Sequence, residues 1–259
     1  MRMSDLLAGV LGELRHEPVE RRVRADAIVD STRAMLVWEP RRVVPSYAVP
    51  IADIHAEIRP GGATESAPAG VLHPGIQFAA HTAAGEPVTI DGRGGFRLAD
   101  PDLDGYVVLD FDAFAEWREE DEPIAGHPRD PFHRVDVRRT SRPVRIELDG
   151  AVLAESTRAR LLFETRLPTR FYLPREDVRV ALRASARRTY CPYKGEASYW
   201  SLDGDDDVAW SYEQPLPDMA AITGLVAFWD ERVDVVLDGE RRTRPGGAIA
   251  DALRDEFDV

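Results

Sequence analysis

Two stretches of the chain repeat each other, and this repeat restricts the possible folds more than any other feature. Residues 30–39 (DSTRAMLVWE) align with residues 155–164 (ESTRARLLFE). Residues 47–50 (YAVP) align with residues 171–174 (FYLP) after one deletion. A third similarity links RVDV at 134–137 with RVDV at 232–235 and predicts the ends of the two copies. Blocks that recur in the same order indicate a duplicated module, so the chain must fold as two similar domains.

The repeat divides the chain into four predicted segments. The polar stretch 138–143 ends in proline, as a linker between domains often does, and we expect the modules to meet there. Apolar residues at helical spacing between Ser4 and Glu17 predict a helix at the start. The predicted segments are an N-terminal helical extension (1–19), a first module (20–140), a second module (141–240) and a charged C-terminal tail (241–259).

Within the modules, short alternating stretches predict strands. Residues 144–152 alternate apolar and polar side chains up to an Asp149-Gly150 turn, and residues 197–202 and 208–212 frame an acidic turn. Helical patterns are confined to short segments at 112–119, 217–223 and 248–257. We therefore predict a mainly β fold of two tandem modules, built from short antiparallel strands with a few short helices.

Composition excludes several classes of partner. The formal net charge of −13 disfavours nucleic acid, and the longest apolar runs are too short to span a membrane. A single cysteine allows no intrachain disulfide, which fits the cytoplasm. The six histidines all precede residue 134, so the predicted second module lacks the ligands of a zinc site, and we expect no metal and no cofactor.

The most informative positions are the one cysteine and the one lysine of the chain, Cys191 and Lys194, which lie three residues apart in the segment CPYKG. Every other basic side chain apart from the histidines is arginine, so the retained lysine suggests that its size or its titration matters. A nearby ammonium would favour a Cys191 thiolate, or a desolvated Lys194 would itself be a nucleophile. The alternative is structural, with Cys191 buried as a small apolar residue and Lys194 paired with Glu196.

Aromatic residues concentrate in the same module and favour a binding pocket. Tyr199 and Trp200 are consecutive in a predicted strand, so one must face the core while the other can line a cleft. Arg158 follows the repeated Ser-Thr and is expected to pair with Glu164, with ligand binding as a second interpretation. The predicted ligand-binding residues are Arg158, Tyr172, Cys191, Tyr193, Lys194, Glu196, Tyr199, Trp200, Trp210 and Tyr212.

The segments CPYKGEASYW at 191–200 and FYLPREDV at 171–178 resemble the bacterial domain-of-unknown-function 427 family, and so does GLVAF at 224–228. The segment HPRDPFHRVD at 127–136 is similar to two-copy members of that family. The resemblance implies a β-tent fold, in which two small antiparallel sheets lean together. The family is also labelled nucleotidyltransferase-like, but the acidic run at 205–207 lies in a predicted turn, where a solvated role is the ordinary interpretation.

Three functions follow from these features. We predict that the second module binds an unidentified small molecule. The alternatives are an enzyme that uses Cys191 or Lys194 as its reactive group, and a protein-interaction module that uses the edges of its sheets. The counterpart of CPY in the first module is predicted to be His73-Pro74-Gly75, which lacks the following Lys-Gly-Glu and so predicts a degenerate first copy.

Overall fold

Antiparallel strands form most of the regular structure, as the alternating sequence patterns predict. The computed structural model describes residues 9–62 and 66–259 and divides the chain into two units. The first unit extends to Asp130 and the second begins at Pro131. The chain is therefore mainly β and contains two modules.

Eleven strands are described in each unit. The strands of the first unit are β1 (Arg15–Pro18), β2 (Val23–Ala25), β3 (Val29–Ser31), β4 (Met35–Trp38), β5 (Ser46–Pro50), β6 (Ile58–Pro60), β7 (Gly85–Ile90), β8 (Arg93–Leu98), β9 (Tyr106–Leu109), β10 (Trp117–Glu119) and β11 (Glu122–Ile124). The strands of the second unit are β12 (Val135–Arg139), β13 (Val144–Leu148), β14 (Ala151–Ser156), β15 (Arg160–Glu164), β16 (Arg170–Leu173), β17 (Arg183–Cys191), β18 (Gly195–Leu202), β19 (Asp205–Ser211), β20 (Val226–Phe228), β21 (Asp234–Leu237) and β22 (Glu240–Arg241).

Both units arrange their strands in the same order. The first unit has a seven-stranded sheet, β1-β4-β5-β9-β8-β7-β6, and a four-stranded sheet, β11-β10-β2-β3. The second unit has a seven-stranded sheet, β12-β15-β16-β20-β19-β18-β17, and a four-stranded sheet, β14-β13-β21-β22. Each strand of the second unit thus occupies the place of its counterpart in the first.

Helices are short in the described part of the chain. The 3₁₀ helices are Ile51–Asp53, Pro101–Leu103, Phe111–Ala113, Arg175–Asp177 and Pro217–Ile222. The C-terminal α-helix, Ala248–Phe257, has the bounds that the sequence predicts. Among the described residues, no helix combines the length and the apolar character needed to cross a membrane.

In each unit the main core lies between the two sheets. In the second unit, Ile146 and Val235 of the four-stranded sheet pack with Phe171, Val208 and others of the seven-stranded sheet. Alternate residues of the seven-stranded sheet face away from this core, because side chains along a strand alternate between its two faces. We call this second surface the outer face. It carries a cluster of its own in each unit.

The structure corrects the predicted boundary between the modules. β12 pairs with β15, with Val135 opposite Glu164, so it belongs to the second unit and not to the end of the first. The predicted seam rested on the similarity of residues 134–137 to residues 232–235. Those segments lie in β12 and β21, which are not counterparts, because β12 corresponds to β1 and β21 to β10.

Three further segments differ from prediction. Residues 1–8 of the predicted N-terminal helix lie outside the described residues, and Arg15–Pro18 is a strand because it pairs with Met35–Trp38. The predicted helix at 112–119 becomes a 3₁₀ turn followed by β10, where Trp117 and Glu119 are buried on one face. The predicted C-terminal tail is part of the second unit, since Phe257 packs against Trp229 with ring centroids 4.9 Å apart.

Candidate functional site

The outer face of the seven-stranded sheet in the second unit combines aromatic rings with buried charges. Its apolar members include Leu162, Tyr172, Ala197, Tyr199, Trp210, Tyr212, Met219, Ile222, Ala227 and Trp229. The 3₁₀ helix Pro217–Ile222 contributes Met219 and Ile222 to this cluster, and the end of the C-terminal helix covers Trp229. Polar groups inside such an enclosure lose water, so their hydrogen-bond partners decide whether the arrangement is stable.

A buried ion pair lies in this cluster. Glu164, the last residue of β15, accepts a hydrogen bond from the Lys194 ammonium at 2.6 Å, and the two side chains are only 6% and 10% exposed. The other oxygen of Glu164 lies 2.9 Å from Nε2 of His133. His133 in turn stacks on Tyr193, with ring centroids 4.5 Å apart. Residues from three separate segments therefore converge on one carboxylate.

The charges of this pair stabilise each other. Burial alone would raise the pKa of Glu164, but the charge of Lys194 and the hydrogen bonds from His133 and Lys194 lower it to about 2. Burial alone would lower the pKa of Lys194, but attraction to Cys191 and Glu164 raises it above its ordinary value. The raised pKa favours a protonated Lys194 that donates hydrogen bonds, whereas a nucleophilic lysine must lose its proton.

Two phenols lie beside the ion pair. The Tyr172 hydroxyl accepts a hydrogen bond from Nε1 of Trp210 at 3.0 Å. Burial raises the pKa of Tyr172, and the neighbouring charges of Lys194 and Glu164 also act on it. Burial likewise raises the pKa of Tyr212 well above its ordinary value, and nearby Tyr172, Cys191 and Glu164 raise it further. Both hydroxyls stay protonated at neutral pH and are available as donors.

Several of these donors have no acceptor. Among the described residues the Lys194 ammonium donates one hydrogen bond, to Glu164, although an ammonium can donate three. The Tyr212 hydroxyl, in a residue only 5% exposed, has no hydrogen-bond partner within the described part of the chain. The buried side-chain polar atoms that lack a partner in the described part of the chain do not include this hydroxyl, so it retains some contact with solvent.

A tight turn places Lys194 in this environment. The Lys194 amide donates to the Cys191 carbonyl at 3.2 Å, and the Lys194 carbonyl accepts from the Leu216 amide at 3.0 Å. Gly195 has φ +97°, a conformation that side-chain-bearing residues rarely adopt, and an added Cβ would lie 3.3 Å from the Leu216 nitrogen. The glycine therefore permits the turn that directs the preceding lysine inward.

The structure brings together most of the predicted ligand-binding residues but not all of them. Tyr172, Tyr199, Trp210 and Tyr212 share the outer face, and Cys191 and Lys194 interact electrostatically with this group. Tyr193 stacks on His133 at the edge of the ion pair.

Three predicted residues lie elsewhere. Glu196 is exposed and Trp200 packs on the core between the sheets, because alternate residues of β18 face opposite sides. The expected Lys194–Glu196 pair is therefore wrong, and Glu164 is the partner. Arg158 does not pair with Glu164 either, since it bonds Asp177 at 2.6 Å in an exposed turn. The Ser156 hydroxyl accepts from the Arg158 amide at 2.9 Å, so this motif stabilises the turn.

The first unit contains a related arrangement that sequence analysis did not detect. Glu39 directly follows β4, the counterpart of β15, and its side chain is only 1% exposed. One Glu39 oxygen lies 2.7 Å from Nδ1 of His81, and the other accepts the Thr82 and Ala83 amides at 2.7 and 3.0 Å. Nε2 of His81 lies 3.0 Å from Asp110. Burial opposes a charged His81, but Asp110 and Glu39 raise its pKa to about 9.

The cation that pairs with the buried Glu39 of the first unit is therefore His81, and not His73, the predicted counterpart of Cys191. His81 lies in the long connection between β6 and β7, where CPYK forms a short turn in the second unit. The fully buried Arg42 holds part of this connection by donating to the carbonyls of Gln77 and Ala80 at 2.9 and 3.0 Å. Gly94 leaves room for Asp110, since an added Cβ would lie 2.1 Å from its carboxylate.

A second buried charge cluster extends across the same outer face. Arg170 forms a two-fold hydrogen-bonded pair with Glu231 at 2.7 and 2.8 Å, and its guanidinium lies over the rings of Trp210 and Trp229. Nearby Asp230 is 3.8 Å from Arg170. Burial raises the pKa of Asp230 to about 7. Both carboxylates face one cation, Arg170, which is hydrogen-bonded to Glu231 and not to Asp230.

Metal-ligating geometry occurs at one place among the described residues. His16, Asp100 and Asp102 have ligand atoms within 4.8 Å of one another, on the first unit. His16 and Asp102 are 3.6 Å apart and the latter is mostly exposed, so a protonated imidazole would pair with it without any ion. The acidic run at 205–207, predicted as a turn, is the start of β19, and Asp205 and Asp206 each bond an arginine, Arg232 and Arg183.

The residues missed by sequence analysis were Glu164, His133, Glu39 and His81. A sequence signal existed for the two glutamates, because both end an apolar strand at the same place in the repeat. A charge retained in both copies beside buried residues indicates a buried partner. No comparable signal marked the histidines, which lie outside the aligned blocks.

Comparison with known proteins agrees with this division of the chain. The profile of a domain of unknown function (DUF427) matches residues 136–239, which lie within the second unit. The second unit is therefore a member of the DUF427 family. The first unit, where we expected the same resemblance, lies outside the match. A search of curated proteins finds no match to the chain.

Proposed function

We propose that the second unit binds a small molecule at the outer face of its seven-stranded sheet, beside Glu164 and Lys194. The observation that carries this proposal is a buried lysine with unused donors, Lys194, on an aromatic face that also carries the Tyr212 hydroxyl, for which the described residues supply no partner. The unused donors of these two groups can bind an acceptor on a ligand in place of water. Aromatic walls from Tyr172 and Trp210 provide apolar contact, as in most binding sites for small molecules.

The same geometry supports binding more than nucleophilic catalysis. A raised pKa keeps Lys194 cationic, and a cation held by a buried carboxylate orients a ligand instead of attacking it. Cys191 is partly exposed and carries the only thiol, so it forms one edge of the proposed site. We place this activity in the cytoplasm, where a lone thiol stays reduced.

The test uses the indole N–H signals of the full-length protein in a nitrogen-15 correlation spectrum. The chain has five tryptophans, and the Trp210 indole bonds Tyr172 inside the proposed site, whereas Trp38 and Trp117 belong to the first unit. A library of neutral, anionic and cationic fragments is the probe. We expect at least one fragment to shift Trp210 at concentrations that leave Trp38 and Trp117 unchanged.

Two matched variants complete the experiment. Tyr212→Phe removes the free hydroxyl, and Tyr190→Phe removes a hydroxyl from a residue that is 46% exposed on the edge strand β17. We expect Tyr212→Phe to weaken the response and Tyr190→Phe to leave it unchanged. If no fragment shifts Trp210, or if both variants respond like the natural chain, the proposal is wrong.

A further inference from the structure

We infer that the C-terminal helix, Ala248–Phe257, is a lid that competes with ligands for the outer face of the second unit. This inference rests on the proposed function and adds its regulation. Phe257, at the end of the helix, contacts Trp229 with ring centroids 4.9 Å apart, and Trp229 contacts Trp210 at 4.3 Å. Phe257 and Val259 both pack against the aromatic cluster of this face. The helix therefore occupies part of the surface at which we propose binding.

One polar side chain ties the end of the helix to the sheet. Arg187 of β17 donates a hydrogen bond from Nη1 to the Phe257 carbonyl at 3.1 Å. Its guanidinium lies 5.1 Å from the Tyr199 ring and 5.5 Å from the Phe257 ring, so it interacts with the sheet and with the helix at once. Ala250 is the one fully buried residue of the helix. Because the other helix residues keep contact with water, detaching the helix costs little compared with unfolding the unit.

The shared module does not include this helix. The DUF427 match ends at residue 239, before the helix begins. In the described part of the first unit no helix follows β11, although the two units have the same strand order. The strands of the second unit therefore have a counterpart that is complete without the helix. A segment added to a fold that does not require it is free to regulate the site that it covers.

The connection to the helix can act as a hinge. Residues 242–247 join β22 to the helix and contain no strand or helix. A Cβ added at Gly246 or Gly247 would meet no heavy atom within 4 Å apart from its neighbours in the chain, and Gly247 has φ +95°. Glycine adopts both signs of φ readily, so these residues can absorb the change in backbone angles when the helix moves. The strands can keep their places while the helix leaves the rings.

Amide hydrogen exchange in the full-length protein shows whether the helix opens by itself. We expect the amides of residues 252–257 to exchange at least about a hundredfold faster than those of β20, which are protected until the unit unfolds. Helix amides as well protected as those of β20 would overturn the inference.

A probe molecule shows whether this opening is coupled to binding. Benzyl alcohol is the probe, since its ring can replace that of Phe257 on Trp229 and its oxygen can accept a hydrogen bond. Adding it should accelerate exchange in the helix further, because a molecule that binds the open state increases the population of that state. Fraying of the helix end alone would not respond to the probe.

Two variants of the full chain loosen the lid. Phe257→Ala removes the ring that lies on Trp229, and Arg187→Met removes the hydrogen bond to the Phe257 carbonyl. Benzyl alcohol is titrated while the Trp210 indole signal is followed. We expect Phe257→Ala to raise the affinity about tenfold, the factor that applies when the open state is about a tenth of the natural population, and Arg187→Met to raise it about threefold.

Two matched controls change the same residue types outside the lid contact. Phe163→Ala removes a ring that is 43% exposed on β15. Arg188→Met removes a guanidinium that donates to backbone carbonyls of its own strand, at Ser185 and Arg187. Both controls should leave the affinity for benzyl alcohol unchanged.

The outcomes separate this inference from the proposed function. If benzyl alcohol or a fragment of the library shifts Trp210 with the same affinity in the natural chain and in Phe257→Ala, the lid inference fails and small-molecule binding stands. If either lid variant unfolds the unit, the helix supports the fold and the lid inference also fails. If none of these molecules shifts Trp210 in any of the chains, both fail. Tighter binding in the two lid variants and not in the controls would support both.

Discussion

In the first unit, Glu39 receives hydrogen bonds from one side chain and two backbone amides, and His81 has a second carboxylate, Asp110, for its other nitrogen. In the second unit, Glu164 is bonded only by side chains, and Lys194 keeps unused donors. The two carboxylates occupy corresponding places in one strand order. The comparison shows that one fold can hold a buried carboxylate in two ways. Its cationic partner either uses both of its nitrogens, as His81 does, or keeps unused donors, as Lys194 does.

A single position explains much of the difference. The residue that follows β9 in the first unit is Asp110, which bonds His81, whereas the residue that follows β20 in the second unit is Trp229. Trp229 packs against Trp210 at 4.3 Å instead of pairing with the cation. Replacing a second carboxylate by an aromatic ring leaves Lys194 with one anionic partner and surrounds it with apolar walls. This difference is the reason for proposing the second unit as the binding copy.

The largest expected effect comes from separating the ion pair of the second unit. Lys194→Met leaves Glu164 buried beside His133 alone and should lower the free energy of unfolding of this unit by about 3–5 kcal/mol. The double variant Glu164→Gln/Lys194→Met should recover most of that loss. Urea unfolding followed by the indole signals of each unit measures both. A double variant as unstable as the single one would contradict a mutually compensating pair.

Alkaline pH should lower the free energy of unfolding of the first unit more than that of the second, and this effect is smaller than the loss of the ion pair. The folded-state pKa of His81, about 9, lies above the ordinary value of 6.5, so its stabilisation is complete below pH 6.5 and is lost as pH rises through 9. The raised pKa of Lys194 keeps its charge throughout that range. The first unit should therefore lose up to about 3 kcal/mol between pH 6.5 and 10, and His81→Gln should flatten this loss. Equal alkaline loss in both units would count against the network.

Asp230 should also make the second unit less stable as pH rises, but here the group that loses its proton is a buried carboxyl group and not a histidine. Its folded-state pKa of about 7 exceeds the ordinary value of 3.8, so the folded unit holds a proton that the unfolded chain releases. Stability contributed by this group is therefore greatest below pH 4 and declines as pH rises to about 7. Asp230→Asn should remove the decline and stabilise the unit at pH 8 by about 1–2 kcal/mol in thermal or urea unfolding. A variant that is less stable at pH 8 would show that Arg170 needs this charge.

The smallest effect is expected for the residue on which the binding proposal depends. Because the Tyr212 hydroxyl has no partner in the described structure, Tyr212→Phe should change the free energy of unfolding by less than about 0.5 kcal/mol. Tyr172→Phe is the matched comparison, since it removes the acceptor of the Trp210 indole and should cost about 1 kcal/mol. A loss of more than 1 kcal/mol in Tyr212→Phe would reveal a protein partner for its hydroxyl.

Sequence patterns predicted the strands and the aromatic face but misassigned the ion pair. Strand alternation placed Tyr199 and Trp200 on opposite faces, and the Asp149-Gly150 turn was correct, because both depend on neighbouring residues. The partner of Lys194 could not be found in this way. Glu196 is close in sequence but lies on the other face of β18, while Glu164 reaches Lys194 through the pairing of distant strands.

The predicted module boundary failed for a related reason. A four-residue similarity between β12 and β21 looked like a repeat, but strand pairing shows that these strands hold different places in their sheets. The longer match, between residues 30–39 and 155–164, contains buried positions on both faces of a strand. It identified true counterparts. Short matches therefore carry less information than long matches that include core residues in both copies.

The central claim is that the second unit leaves donors for an outside acceptor while the first unit does not, and a crystal structure of the full chain grown with a fragment that shifts the Trp210 indole signal tests it most directly. The account predicts an acceptor atom of the ligand within hydrogen-bond distance of Lys194 Nζ or Tyr212 Oη, and no added molecule at His81. A Tyr212 hydroxyl bonded to a protein acceptor, with all three Lys194 hydrogens donated to protein atoms and no ligand density, would contradict it.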